Sequence, residues 1–549
     1  MQSDYTGLVT SAEWRWVTRI ASALVGLAAL PLLWLLLHGT TGDHREFMGV
    51  LHGYQSSAID LTRIFQGKEG DWLTHYLHTP EPHGGTLIGV FYALLGQLAR
   101  LTTLAPMVIF HIARCGAAMV MYLSLYLLPS SIWMKSRSRR VFFIIVVLGG
   151  GFGWFLTPLT GATGFIDLNA TNVFPFFSTL VNVHYPLTIA CLALLASVII
   201  AVLRPGNPAL PTVENGGLTV FLLSLFLAFI HPLALVPIAL AFIFCLNIDW
   251  YQRRAFSRPQ LQWLMWFGVP ALPMIAYYIS VAHYNRVAGE LWIAENTTPA
   301  AAPLYFLLGV GFPLLIALPG IYRAARRFEP DGDRFMLVWL VVMLLLTYLP
   351  TVFHQHFAIG FMIPLAYFAT RSIEDFWLNF VTRRWRLRLF AALIPLMSAS
   401  LMLMLVLPMF SSTASTRQSD QWLLEEDYVA AFHWLRRQAG SDDVVLSAPE
   451  VGLWIPVRTG ARVVYGHPRL TLDAAEKERA VWQWYRETDP ARCLALLQGE
   501  YSFDRPYTVR YIVVGPREQA TTVCLAGLRV FSFDTVQIYV YSPADLGSE

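Results

Sequence analysis

From Gly216 to Ile248 the sequence carries no Asp, Glu, Lys or Arg. Such a stretch suits a lipid surround, where the backbone has no water to bond to. Only a helix, or a closed barrel, then satisfies its own peptide groups. A helix crossing the ~30 Å hydrocarbon layer needs about 20 residues. The stretch is too long for one crossing and holds His231-Pro232 near its middle. Proline removes a backbone donor and disfavours helix at the residue before it. We read two short crossings with a turn at His231.

The rest of the chain repeats this pattern without any internal sequence repeat. The run Trp16–His38 follows Arg15 and Arg19 and is too long for a signal-peptide core. It reads as an uncleaved spanning helix with its N-terminus in the cytoplasm. Further runs lie near 106–130, 141–158, 184–203, 261–283, 302–322, 335–371 and 388–409, and 335–371 splits around Pro350 and His354-Gln355-His356. Charged residues make up 14 % of the chain, against about 25 % in soluble domains. Disorder, collagen and a small disulfide scaffold are excluded. A nucleic-acid partner is excluded because no concentrated basic face exists.

The apolar stretch 86–104 is assigned by charge. If it does not cross, the clusters Lys135/Arg137/Arg139/Arg140, Arg253/Arg254/Arg258, Arg323/Arg326/Arg327/Arg334 and Arg371/Arg383/Arg384/Arg386 all face the cytoplasm, as the positive-inside rule requires. If it crosses, every cluster flips. We therefore expect a helix at the outer interface. The fold expected is a polytopic α-helical membrane protein with about eleven transmembrane helices. A transmembrane domain spans 1–410 with outer loops 39–105 and 159–183, and an extracytoplasmic α/β domain spans 411–549. In the tail, helices are expected at 428–438 and 474–487. Strands are expected at 444–446, 462–465 and 511–514, with a closing hairpin at 530–533 and 536–541. Cys493 and Cys524 can pair if the tail lies outside.

Chemistry-bearing residues concentrate on the expected outer side. The first loop holds Asp43, Glu46, Asp60, Glu69, Asp71 and Glu81. A carboxylate just past a first membrane helix can act as general base on an acceptor or hold a divalent cation; a solvated loop is the plainer alternative. Asp167 is the only acid between 141 and 203; it is a candidate site carboxylate or a helix N-cap. His184, His231, His354 and His356 fall at outer ends of crossings. They can donate to a lipid phosphate or cap the interface. The glycine run 149–153 (Gly-Gly-Gly-Phe-Gly) permits close backbone approach, most simply between helices.

The order of pieces resembles the GT-C multipass glycosyltransferases, a group that includes protein mannosyltransferases, aminoarabinose transferases, oligosaccharyltransferases and RgtA/B/C/D-like bacterial proteins. The resemblance rests on the acidic loop after the first helix, Gly67-Lys68-Glu69-Gly70-Asp71-Trp72, Thr79-Pro80-Glu81-Pro82-His83-Gly84-Gly85, the glycine run, Asn182-Val183-His184-Tyr185-Pro186, His231-Pro232 and Gly360-Phe361-Met362-Ile363-Pro364. It implies a polyprenyl-phosphate-linked sugar as donor and an acidic catalytic residue in the first outer loop, here Asp43 or Asp60. Asp167 is the accompanying carboxylate. The donor phosphate is then expected near His184, His231, His354, His356 and Arg286. The family's acidic pair is replaced by Asp43-His44 and Glu46. The resemblance leaves the metal open, with a divalent cation as one option.

The function expected is sugar transfer from a polyprenyl-phosphate donor to an extracytoplasmic acceptor, in a bacterial plasma membrane among its lipids. A non-catalytic envelope scaffold of the same fold and a lipid or sugar transporter are the alternatives. Topology gives the first test. A reporter that matures only outside the cytoplasm, fused after Ser411, should be active, and a cytoplasm-only reporter there should be silent.

Overall fold

The computed structural model describes residues 9–38, 44–203, 216–329, 332–413, 419–499, 507–518, 524–525 and 528–541. The chain forms two compact units, each assembled from separated stretches. One takes in residues 1–30, 112–277 and 296–407; the other takes in 31–111, 278–295 and 408–549. The protein is a multi-pass membrane protein. Among the described residues, eight helices are long and apolar enough to cross a bilayer, and Gly216–Ile230 is a shorter apolar helix.

The first unit consists of helices whose breaks are as informative as their lengths. Gly216–Ile230 stops at His231, whose backbone is non-helical (φ −159°, ψ 75°). A 3-10 turn over Pro232–Ala234 leads into Leu235–Arg253. The stretch 335–371 likewise divides into Gly332–Tyr348, a turn at His354–Ala358 and Met362–Ser372. Both divisions follow the sequence reading.

The run 141–158 differs from the single helix expected. It is Ser136–Leu148 and Gly153–Thr160, interrupted over 149–152. The facing helix Pro303–Arg327 is itself kinked, with Gly311 at φ 17°, ψ −98°, two residues before Pro313. The Phe152 N–H donates to the Leu308 carbonyl at 3.0 Å. A Cβ on Gly151 would lie 2.2 Å from the Gly309 oxygen. The glycines thus serve close helix approach. One broken backbone hydrogen-bonds to another where lipid offers no partner.

The second unit joins the loop after the first long helix to the tail. Helix Val90–Thr102 has 13 residues, about 20 Å of rise, too short to cross. It packs on Tyr54–Glu69 at a seam of small residues: a Cβ on Gly96 would meet the Ile64 oxygen at 2.3 Å, and one on Gly67 the Ala93 oxygen at 2.2 Å. Strand β1 (Arg45–Phe47) pairs antiparallel with β2 (Leu423–Glu425). The tail sheet holds β3 (Val444–Leu446), β4 (Arg462–Val463), β5 (Val509–Val514), β6 (Leu528–Phe533) and β7 (Val536–Val540), in the order β4-β3-β5-β7-β6. β3 is parallel to β4 and β5, while β6 and β7 form the antiparallel hairpin. Helix Ala474–Arg486 covers the sheet, with Val481, Trp484 and Tyr485 in a core shared with Val444, Leu446 and Ile512. Cys493 and Cys524 form a disulfide.

One buried ion pair ties loop to tail. Lys477 Nζ meets Glu81 Oε1, with side chains 2 % and 1 % exposed. The Thr79 hydroxyl donates to the other Glu81 oxygen, and Lys477 lies 5.7 Å above the Tyr507 ring. Removing one partner of such a pair costs roughly 3–5 kcal/mol, whereas an apolar replacement of both is often near neutral. Glu81→Ala should therefore lower the thermal midpoint of the purified protein markedly. The Glu81→Leu/Lys477→Met double variant should recover most of that loss in the same melting assay.

Candidate functional site

Three of the four singled-out histidines meet in the first unit. His184 opens the 20-residue helix His184–Leu203. That start is fixed locally: the Tyr185 N–H donates to Asn182 Oδ1 at 3.1 Å, and Pro186 suits a first turn, where its missing donor is not needed. His231 occupies the break before Pro232. His356 lies in the turn His354–Ala358, which is held by Asn172 Nδ2 donating to the Gln355 carbonyl at 2.9 Å. The His356 Nδ1 and His231 Nε2 are 3.1 Å apart, so one ring donates and the other accepts. The His184 and His231 rings stack 5.9 Å apart, and those of His231 and His356 lie 4.9 Å apart. His231 and His356 are buried and His184 is half-buried.

Imidazoles grouped at the N-terminus of a long helix can receive an anion. The helix presents free N–H groups and the positive end of its dipole, and the rings add donors. His354 does not join the ring cluster: its Nδ1 bonds the Thr347 carbonyl at 2.8 Å. Arg286 belongs to the second unit and pairs with Glu290 at 2.9 Å, with its own side chain 78 % exposed.

Asp167 is fully buried. Its Oδ2 accepts the Gly153 N–H at 2.9 Å and the Ser400 hydroxyl at 2.5 Å. A Cβ on Gly153 would fall 2.5 Å from Oδ1, so glycine is required where helix Gly153–Thr160 begins. Asp167 therefore caps a neighbouring helix rather than its own. Burial raises its pKa.

In the second unit Asp60 lies on helix Tyr54–Glu69 and is 3 % exposed. Burial pushes its carboxyl up to about 8, against the opposing charge of Arg63. Arg63 stands 4.0 Å away but is engaged by Glu295, to which it donates two hydrogen bonds of 2.9 and 2.8 Å. The Tyr76 hydroxyl donates to Glu295 at 3.1 Å. Gly89 (φ 74°) leaves room for the Arg63 stem: a Cβ there would lie 2.6 Å from Cδ. Asp60 is thus a largely protonated group beside a satisfied ion pair. Asp43 lies outside the described residues, two positions before β1.

Burial lowers His78 and His83 to about 4, and His75 also falls. Among the described residues no three His, Cys, Asp or Glu side chains are gathered in a metal-holding group. Sequence reading missed the Arg63–Glu295–Tyr76 set and the Glu81–Lys477 pair, because each joins residues more than 200 positions apart. One signal was present: Lys477 is one of only three lysines and lies on an amphipathic helix.

No protein-family model matches the sequence, and no curated protein does. Solved structures do match by fold. The aminoarabinose transferase ArnT from Cupriavidus metallidurans, bound to undecaprenyl phosphate, aligns over 98 % of this chain and 99 % of its own, with TM-score 0.54 and 11 % identity. The oligosaccharyltransferase AglB from Archaeoglobus fulgidus, in complex with an inhibitory peptide and a dolichol-phosphate, aligns over 92 % and 70 %, with TM-score 0.51 and 11 % identity. The arabinofuranosyltransferase AftD from Mycobacteria aligns over 98 % of this chain but 42 % of its own, with TM-score 0.52 and 12 % identity. The chain shares its fold with these three structures.

The buried Asp60 yields a pH prediction. Its carboxyl holds a proton more tightly folded than unfolded, so the folded state is favoured at low pH. That stability is lost as pH rises from about 4 towards about 8. Glu518, raised by burial to about 7, acts in the same direction. Asp60→Asn should melt higher than the parent at about pH 8, and the gap should close near pH 5. Equal midpoints at both pH values would refute the assignment.

Proposed function

We propose that this protein is an inverting glycosyltransferase that moves a sugar from a polyprenyl-phosphate donor to an acceptor outside the cytoplasm. The observation that carries the reading is the convergence of His184, His231 and His356 at the start of a long helix. This is an anion-receiving arrangement inside a fold shared with enzymes solved with undecaprenyl phosphate or dolichol-phosphate bound. A lone helix start would be weak support, since fold alone does not determine function. Three imidazoles supplied by three separate breaks make it stronger.

The chemistry follows from the leaving group. An acceptor hydroxyl attacks the anomeric carbon, the bond from that carbon to the phosphate oxygen breaks, and polyprenyl phosphate departs. Donors aimed at the phosphate stabilise the charge that develops on it in a site shielded from water. The acceptor proton goes to a carboxylate base, for which we assign Asp43, which in sequence comes two positions before β1. Asp60 and Asp167 take positioning roles in this reading. His354 and Arg286 are left to structural and surface roles. The Cys493–Cys524 bridge and the arginine clusters support a tail facing an oxidising extracytoplasmic space of a bacterial plasma membrane.

Sugar transfer from a radiolabelled polyprenyl-phosphate donor tests this. Asp43→Asn should lose about 10²–10⁴-fold in rate, the usual cost of losing a general base. His231→Ala should weaken donor binding. Asp60→Asn should keep its rate within a few-fold. Parent-level transfer by Asp43→Asn moves the base elsewhere, and a parent protein that binds no polyprenyl phosphate ends the transferase reading.

A further inference from the structure

Within the second unit, the first outer loop and the tail enclose a cleft of about 450 Å³, inside the ~300–1,000 Å³ range of small-molecule sites. Its polar wall is held in place by ion pairs. Glu69 binds Arg436 at 2.9 Å, and Asp442 binds Arg462 at 3.4 Å. Arg462 is 5 % exposed and also donates to the Glu81 carbonyl at 2.8 Å; its buried Nε–H has no acceptor among the described residues. Asp71 lines the cleft and is exposed, with no salt bridge among the described residues. Ala439 and the largely buried Phe65 and Leu77 supply a narrow apolar strip, with the Arg436 guanidinium 5.1 Å above the Phe65 ring.

This lining discriminates between ligand classes. A phosphate or other anion meets three carboxylates. A polyamine meets two guanidinium groups already committed to carboxylates. A purely apolar molecule leaves charged groups without solvent. A polyol fits each requirement, because every hydroxyl both donates and accepts. The cleft offers carboxylate acceptors beside guanidinium donors, and the C–H face of a sugar ring can rest on the apolar strip.

We propose that this cleft binds a carbohydrate, the saccharide portion of the acceptor. Calling it the acceptor rests on the transferase reading; carbohydrate binding itself does not. Arg462, buried and bonded to the Glu81 carbonyl, is the preorganised donor of this wall, with the more exposed Glu69, Arg436 and Asp442 beside it. Asp71 is the free carboxylate that accepts from ligand hydroxyls.

The test uses the full chain in detergent and saturation-transfer NMR with maltose, cellobiose, chitobiose and mannobiose. At least one disaccharide should show transfer to its ring protons. Asp71→Asn should weaken it about tenfold. Ser441→Trp, which fills the cleft from an exposed lining position, should abolish it, and both variants should melt like the parent. No disaccharide signal, or an undiminished signal in Ser441→Trp, overturns the proposal. Competition by inorganic phosphate or spermine, without competition between sugars, also overturns it. Sugar binding that survives in a parent inactive for transfer would sink the transferase reading and leave the cleft assignment standing.

Discussion

A peptide group without a partner in hydrocarbon costs several kcal/mol, and most of the first unit's detail follows from that constraint. Helices there cannot simply stop. Where the chain breaks over 149–152, the Phe152 N–H finds Leu308 and the Gly153 N–H finds Asp167. The buried Arg114 does related work: its guanidinium donates to the Thr179 and Leu180 carbonyls, satisfying acceptors at the end of Pro175–Val181. Two of these devices use a polar side chain, Asp167 or Arg114, and the third is a backbone–backbone bond; each lets the backbone deviate inside an apolar unit.

Those deviations are also what creates chemistry. An unbroken helix offers lipid a uniform apolar surface and no reactive group. Breaking the chain at 184, 231 and 354–358 opens one helix N-terminus and places His231 and His356 in hydrogen-bond contact. The histidine cluster and the broken helices are one feature seen twice.

The second unit solves a different problem, the holding of a long polar loop in one conformation. It uses buried charge in addition to apolar area. Glu81 with Lys477, and Arg63 with Glu295 and Tyr76, replace water by fixed partners. Such pairs add little net stability but penalise every arrangement that separates them. Asp60, next to the second of these sets, has its pKa raised by burial, with the nearby Arg63, engaged by Glu295, opposing that shift.

The sequence by itself determined the membrane class, the places where long apolar runs divide, and the strand and helix order of the tail. Those are properties of local composition: a proline after His231, a polar patch at 354–356, the β-branched and aromatic run 511–514. It also marked His184, His231, His354 and His356 as one group, because residues at the same end of several crossings share a membrane level, and the structure gathers three of those four. It did not reveal that 141–158 breaks, since the reason lies in the facing backbone at 308–311. Nor did it separate a carboxylate that caps a helix from one that takes a proton. Asp60 and Asp167 look alike as lone acids in sequence. Only tertiary structure sealed one beside a satisfied ion pair and set the other against Gly153 and Ser400. Burial and long-range pairing decide the charge state of an acid, and neither is written in its neighbours along the chain.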